Sequence, residues 1–383
     1  MIRALGTFVV ALALAGAAAA GKGAPSASPP PQETAARLQA AIGLADATPA
    51  VVIAFRSAGS DWRFASGLRH ADGPPARPDD PFRIASITKS FVAAAAHRLA
   101  EQGKLNLSQP VGPLLSAETR ATLEAGGYRT DQIRVIDLMT HQSGLRDYAT
   151  SRAYLSRVAA NPLRQWTAAE QIAIAMGLGR PWFPAGQRTR YSDTGYAVLG
   201  EIIARATALP LGEAVPVLLD FERLGLRETR WEQPAAGGGS GLPANAIHAF
   251  QGSEDTAAMD PSFDLFGGGG LISSAPDLLT AMAAMVSGTL FQNAETAAEM
   301  RRPVQPADRG GYVRTAGFEE LVYGDAVCFG HKGHWGTLAV WCPDRNAGFV
   351  FSVNGASRRA YARAARLHRI LAEALLSEYL TLP

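Results

Sequence analysis

The segment Phe82-Arg83-Ile84-Ala85-Ser86-Ile87-Thr88-Lys89-Ser90-Phe91 is the most informative part of this chain. It places Lys89 three residues after Ser86, at the start of an apolar, alanine-rich stretch. Positions three apart lie on one face of an α-helix, so the amine would lie beside the hydroxyl. The chain contains 32 arginines and only 4 lysines. Because a buried lysine can lose its proton whereas arginine stays protonated, the pair indicates a serine nucleophile with an adjacent base.

Three further segments agree with this interpretation. They are Leu138-Met139-Thr140-His141-Gln142-Ser143-Gly144-Leu145, Tyr191-Ser192-Asp193 and His331-Lys332-Gly333. In this order, the four segments resemble the motifs of the penicillin-recognising serine hydrolases, the superfamily of class C β-lactamases and serine D,D-peptidases. Two secondary markers also match: Phe183-Pro184-Ala185-Gly186 and the glycine-rich run 268–274. The resemblance extends from about Ala50 to the last helix.

The resemblance implies a role for each motif. Ser86 would attack a carbonyl and form an acyl-enzyme, while Lys89 and Tyr191 share the proton transfers. The backbone N–H groups of Ser86 and His334 would form an oxyanion hole. The residues expected to bind substrate are Asp193, His331, Lys332 and Gly333. No cofactor is implied, and Gly333 would let substrate approach the strand backbone.

Asp193 departs from the family pattern, which usually has asparagine at this position. A carboxylate cannot donate the hydrogen bond that the asparagine amide gives to a substrate carbonyl. Asp193 could instead bind a substrate ammonium group, or pair with Lys89 and keep it protonated, which would pass the role of base to Tyr191. A third interpretation is an N-cap for a helix that begins near Thr194.

Lys332 is a second departure, because the family usually has a small residue there. It could anchor a substrate carboxylate, although strand alternation would turn it away from the face that carries His331. His331 and His334 form a weak ligand set for a metal, so no metal site is expected. We expect His141 to shape its loop through hydrogen bonds and His97 to be structural.

The first residues have the composition of a secretory signal. Arg3 precedes an apolar, alanine-rich run, so residues 1–20 are interpreted as a cleaved leader and 21–32 as a linker rich in Pro, Ala and Ser. The leader predicts a periplasmic or secreted protein without a membrane anchor after cleavage. The formal net charge is only +2, which argues against a nucleic-acid partner. We expect a small molecule or a peptidoglycan peptide as substrate, with β-lactams as possible ligands.

The remaining residues, 33–383, are predicted to form one hydrolase domain of the α+β class. Strand patterns at 50–57, 61–70 and 347–353 and around Tyr312, Val327 and Thr337 lie near the two ends of the domain. Helix patterns at 87–102, 168–177, 195–208 and 278–286 lie between them, and helices at 33–44 and 356–379 flank the whole. These patterns predict an antiparallel sheet lobe (33–85 and 311–383), flanked by N- and C-terminal helices, with an inserted all-helical lobe (86–310) of the β-lactamase/transpeptidase type.

Both cysteines of the chain, Cys328 and Cys342, flank the third motif. In a hairpin that turns near Trp335 they would face each other at a distance that a disulfide accepts. A register shift of one residue would separate them, and two free buried cysteines are the alternative.

The expected function is that of an exported serine hydrolase which is D-alanyl-D-alanine carboxypeptidase-like or hydrolyses D-amino-acid peptides. The alternatives are a class C-like β-lactamase and a carboxylesterase of the same fold. A non-enzymatic β-lactam or cell-wall binding sensor is a further alternative, and the intact set of Ser86, Lys89 and Tyr191 argues against it.

Overall fold

The computed structural model describes residues 30–42, 49–235, 239–304 and 313–380. The expected leader, most of the expected linker and the strand expected around Tyr312 lie outside the described residues. The α-helices of the described part are α1 (Gln32–Ile42), α2 (Thr88–Glu101), α3 (Ala117–Ala125), α4 (Val135–Met139), α5 (Arg152–Ala160), α6 (Ala168–Met176), α7 (Asp193–Thr207), α8 (Leu211–Leu218), α9 (Ala275–Ser287), α10 (Ala294–Arg301) and α11 (Arg358–Leu380).

The β-strands fall into one large and two small sheets. They are β1 (Val51–Arg56), β2 (Asp61–Ser66), β3 (Phe82–Arg83), β4 (Arg230–Trp231), β5 (Phe250–Gln251), β6 (Glu254–Asp255), β7 (Leu271–Ser273), β8 (Glu319–Tyr323), β9 (Ala326–Gly333), β10 (Thr337–Cys342), β11 (Ala347–Ser352) and β12 (Gly355–Ala356). The large sheet is antiparallel throughout, in the order β2-β1-β11-β10-β9-β8. Strands from both ends of the domain therefore build it, which confirms the α+β prediction.

The two faces of the large sheet belong to different hydrophobic clusters. Val51, Ile53 and Phe55 of β1 pack with Leu367 and Leu371 of α11. The alternate positions of β1, Val52 and Ala54, join the core of the inserted lobe. Because successive side chains of a strand point to opposite faces, a strand covered on both sides is apolar throughout, as β1 is.

The inserted lobe is organised around α2. Residues 93–96 of this helix are four consecutive alanines, all buried, and α2 contacts α7, α8 and α10. Small side chains allow the neighbouring helices to approach α2 from several sides. The lobe also contains the short strands β4 to β7, so the expectation of an all-helical lobe was too simple. In the small sheet β3-β7-β4, the central strand β7 pairs with β3, the strand that leads into Ser86.

The hairpin of β9 and β10 has the register expected from the cysteines. Thr337 pairs with Gly333 and Trp341 with Phe329, which puts Cys342 opposite Cys328. The two cysteines form a disulfide, and both are fully buried. None of the helices in the described ranges has both the length and the apolar character that crossing a membrane requires.

Candidate active site

Ser86 lies in a tight turn that joins β3 to α2. Residues Ala85–Ile87 form a 3₁₀ turn, and α2 begins only at Thr88, one residue later than the sequence pattern predicted. Ala85 has a positive φ of 48°, which is uncommon for a residue with a side chain and marks a constrained backbone. Ser86 is partly exposed, whereas its neighbours are buried. The turn thus presents the hydroxyl at the amino end of α2, where the helix dipole favours negative charge.

Lys89 reaches back along the first turn of α2 to Ser86, as expected. Its Nζ donates to Ser86 Oγ over 3.0 Å, to the carbonyl of Gly268 over 2.5 Å, and to Oδ1 of Asp193. The Lys89 side chain has no exposed surface. Burial alone would lower the pKa of Lys89, but Asp193, Tyr191 and Asp264 outweigh it and raise the pKa above its ordinary value. Lys89 is therefore a buried cation at neutral pH.

Tyr191 completes the group around the serine. Its hydroxyl hydrogen-bonds with Lys89 and Ser86, and Lys89 Nζ lies 5.0 Å from the centre of its ring. Burial raises the pKa of Tyr191 and the two hydrogen bonds lower it, with a net increase. The phenol is therefore protonated at neutral pH and can accept one proton while it donates another.

His141 contacts the ring of Tyr191 and the backbone of its two neighbours. Its Nδ1 accepts a hydrogen bond from the backbone N–H of Ser192 at 3.2 Å, and its carbonyl accepts one from Arg190 at 2.9 Å. The ring centres of His141 and Tyr191 lie 4.3 Å apart. Burial, with Arg314 and Lys89 nearby, lowers the pKa of His141 well below its usual value. His141 therefore bonds the backbone on both sides of Tyr191, which is the loop-shaping role that we expected of it.

Asp193 is the first residue of α7, and Ser192 occupies the N-cap position. The Asp193 side chain forms no cap and instead pairs with Lys89, so the N-cap interpretation was wrong. The backbone N–H of Asp193 donates to Oδ1 of Asp147 at 3.0 Å. Of the alternatives left open by the sequence, the geometry agrees with the pairing of Asp193 and Lys89.

His331 faces this group from β9. Its ring centre lies 6.3 Å from that of Tyr191, and its Nδ1 donates to the carbonyl of Lys332 at 2.8 Å. Burial lowers the pKa of His331 to about 4, although Glu319 opposes the shift. At neutral pH the imidazole is therefore uncharged, and it supplies no cation at the first position of the third motif.

Gly333 lies where β9 meets the serine turn. A Cβ on Gly333 would come within 2.4 Å of the Ile84 carbonyl and 2.0 Å of Thr337 Oγ1. The glycine thus allows the backbone of the serine turn to approach β9, and the substrate approach that we expected stays a prediction. His334 follows directly, so the N–H groups assigned to the oxyanion hole belong to neighbouring segments. The side chain of His334 points elsewhere, with Nε2 2.9 Å from Gln251 Oε1.

Lys332 does not join the other motif residues. It lies opposite Leu338, whose side chain packs with α11 on the far face of the sheet. Its Nζ lies 3.7 Å from Oε2 of Glu319. As expected from strand alternation, the Lys332 side chain points away from the face that carries His331. Its position therefore does not support the carboxylate-anchor interpretation. Within the described residues, no group of histidine, cysteine and acidic side chains has an arrangement that could hold a metal ion.

Two side chains at the site were missed from the sequence. Asp264 lies at the end of a 3₁₀ turn (Pro261–Asp264), with Oδ1 near the position that a Cβ of Gly268 would take. Arg314 lies with its guanidinium carbon 4.9 Å from the centre of the Tyr191 ring and donates to Glu319 at 2.9 Å. The only sequence signal for Asp264 was its position four residues before the glycine-rich run, and Arg314 had none.

Comparison with known proteins places this geometry in a family. The sequence profile of the Beta-lactamase family matches residues 34–373. Esterase EstB of Burkholderia gladioli is 30% identical over 316 residues, which cover 76% of this chain and 79% of the esterase. The D-alanyl-D-alanine-carboxypeptidase/endopeptidase AmpH of Escherichia coli is 21% identical over 252 residues, 66% of this chain and 60% of AmpH.

Solved structures give the same result. A D-stereospecific amidohydrolase from Streptomyces sp. superposes with a TM-score of 0.75 and 25% identity, over 90% of this chain and 98% of the amidohydrolase. The chain therefore belongs to the β-lactamase family, within the penicillin-recognising serine hydrolases, and is a serine hydrolase.

Proposed function

We propose that this protein hydrolyses amides or peptides of D-amino acids through an acyl-enzyme on Ser86. The observation that carries the proposal is the charge balance around Ser86, Lys89 and Tyr191. Each cation that the described residues bring to this cleft is paired with a carboxylate: Lys89 with Asp193, Arg83 with Glu232 and Arg314 with Glu319.

This charge balance disfavours substrates that need a carboxylate anchor. β-Lactams and peptides ending in D-alanine both carry a carboxylate near the scissile bond, and a charged group of that kind needs a partner when it leaves water. His331 is neutral and Lys332 lies on the other face of the sheet. Amides of amino acids have no carboxylate to satisfy. The structural similarity to a D-stereospecific amidohydrolase supports the D configuration.

The geometry suggests how the reaction proceeds. Ser86 Oγ forms a bond to the carbonyl carbon, and the negative charge develops on the carbonyl oxygen beside the N–H groups of Ser86 and His334. Tyr191 accepts the Ser86 proton while it passes its own proton to the leaving nitrogen. Lys89 remains a fixed cation that stabilises this transfer. Water then attacks the acyl-enzyme by the reverse relay and releases the carboxylic acid.

Ester hydrolysis is a second candidate function. It is favoured by the neutral His331 and by the 30% identity to an esterase. An ester needs the same nucleophile and relay but less protonation of the leaving group, because an alkoxide leaves more readily than an amide anion. A β-lactamase, a D-alanyl-D-alanine carboxypeptidase and a penicillin sensor are the remaining alternatives. We also propose export to the periplasm or the medium, on the composition of residues 1–20.

A substrate panel tests the proposed function. The kcat/KM of the full chain would be measured on D- and L-phenylalanine amide, on a short neutral ester and on benzylpenicillin, with the Ser86→Ala variant as the control. We expect the D-amide to be preferred over the L-amide by at least about tenfold, penicillin to be a poor substrate, and all turnover to require Ser86. Rapid penicillin hydrolysis without amidase activity would overturn the proposal in favour of a β-lactamase.

A further inference from the structure

A small side pocket opens beside the serine turn. Its volume is about 20 Å³, enough for one water-sized group. Its lining includes Arg83, Ala85, Glu232, Phe263, Asp264 and Trp335. Ala85 directly precedes the nucleophile, and Asp264 acts electrostatically on Lys89, whose Nζ lies 3.0 Å from Ser86 Oγ, so the pocket lies close to the reacting groups.

The two other charged residues of the side pocket satisfy each other. Arg83 forms a bidentate ion pair with Glu232, with N–O distances of 2.9 and 2.8 Å, and also donates to the carbonyl of Thr256 at 2.9 Å. Ser240 donates to the same carboxylate at 2.6 Å. Both side chains are buried. They therefore form a fixed wall of the pocket and leave no charge there for a substrate.

Asp264 is different. In the described part of the chain no side chain or backbone group forms a hydrogen bond with its carboxylate, and its side chain is partly buried. A Cβ on Gly269 would come within 2.0 Å of Oδ2, so the carboxylate lies directly on the glycine-rich run. The nearby Asp193 is engaged with Lys89. One lysine thus faces two acidic side chains, and the carboxyl of Asp264 has no hydrogen-bond partner among the described residues.

We infer that Asp264 binds the α-ammonium group of the substrate's acyl residue and so selects amides and peptides with a free amino terminus. This inference rests on the proposed function. An α-ammonium group is attached to the carbon next to the scissile carbonyl. It is small enough for the side pocket, and its positive charge complements the carboxylate of Asp264. Burial and Asp193 raise the pKa of Asp264 to about 8, and a bound cation would favour its ionised form.

Two substrates that differ only in the ammonium group test the inference. They are the p-nitroanilides of D-phenylalanine and of 3-phenylpropanoic acid, assayed with the full chain near pH 7. The wild type should prefer the D-phenylalanine anilide by at least about tenfold in kcat/KM. Asp264→Asn should lose that preference, so that its kcat/KM values for the two anilides agree within about threefold. The control Glu254→Gln, an exposed acid on β6, should keep it.

The outcomes separate this inference from the proposed function. Hydrolysis of both anilides at similar rates by the wild type, or an unchanged preference in Asp264→Asn, overturns the role of Asp264. A wild-type ratio near one overturns the inference even if the variant does not fold, which its thermal unfolding reveals. If the wild type hydrolyses neither anilide nor D-phenylalanine amide, the proposed function itself fails.

Discussion

Lys89 and Asp193 form an ion pair in the interior of the inserted lobe, with side-chain exposures of 0% and 10%. The same lysine donates to Ser86, so the charge of Asp193 acts on the nucleophile through Lys89. Where the family usually has a neutral asparagine, this chain thus holds its lysine in the cationic form. In the proposed mechanism the proton relay therefore passes to Tyr191, whose hydroxyl hydrogen-bonds with both Ser86 and Lys89.

The first prediction concerns Asp193→Asn. Asp193 raises the pKa of Lys89, so its loss lowers that pKa, and the cationic form disappears at a lower pH. We expect the alkaline limb of the kcat/KM profile to move to lower pH by at least about one unit. The surface variant Asp131→Asn should leave the profile unchanged. If Asp193→Asn instead becomes more active with an acidic limb, neutral Lys89 is the base and the relay described above is incorrect.

Tyr191→Phe removes the relay and leaves Ser86 and the ion pair in place. Loss of a positioned acid–base group typically costs about 10² to 10⁴ in rate, so kcat should fall by that factor while KM changes little. Tyr323→Phe is a matched control, because its hydroxyl bonds His368 on the α11 side of the sheet. Steady-state kinetics on a neutral ester would measure both variants. A kcat for Tyr191→Phe within about threefold of the wild type would assign proton transfer to another group.

The sequence predicted best where local patterns determine the structure. Helix α9 contains the helix predicted at 278–286, and it begins after Ser274, whose hydroxyl accepts from the N–H of Asp277. The cysteine register was correct because the hairpin turns near Trp335, which puts the two positions opposite each other. Asp193 was ambiguous, since an aspartate before a helix is a common cap and its actual partner lies 104 residues away. Asp264 reaches the site only through the packing of a 3₁₀ turn against the glycine-rich run, and no local pattern records such a contact.

We predict that the free energy of unfolding falls in mild acid, because two histidines are buried in the uncharged form. Burial lowers the pKa of His97 and of His331 to about 4, so between pH 6.5 and 4 the unfolded chain binds more protons than the folded one. A pKa shift is worth about 1.4 kcal/mol per unit. Each histidine therefore contributes on the order of 3 kcal/mol to the free energy of unfolding at pH 7, and this contribution is lost by pH 4. Denaturant unfolding across this range measures the slope. His97→Gln should reduce the slope, and the partly exposed His70→Gln should not; equal slopes in all three proteins would refute the assignment.

The disulfide should contribute to stability. Cys328 and Cys342 are 14 residues apart, and closing a loop of that length stabilises a fold by about 3 kcal/mol in the chain-entropy model. The double variant Cys328→Ala/Cys342→Ala should unfold at correspondingly lower denaturant and remain active, because the pair lies toward α11. Mass mapping of protein made in an oxidising compartment should find the two cysteines joined. Labelling of both thiols in that protein after denaturation would contradict the pairing.

The central claim is that Ser86 carries the acyl group. The most direct measurement is to stop turnover of an activated D-phenylalanine ester with acid in the first turnovers and to map the modified peptide by mass spectrometry. We predict one acyl group per chain, on the peptide that contains Ser86, and none in Ser86→Ala, whose fold should be unchanged because the hydroxyl is partly exposed. An acyl group on any other residue, or a Ser86→Ala variant that keeps more than about a tenth of the wild-type kcat/KM, would contradict the account.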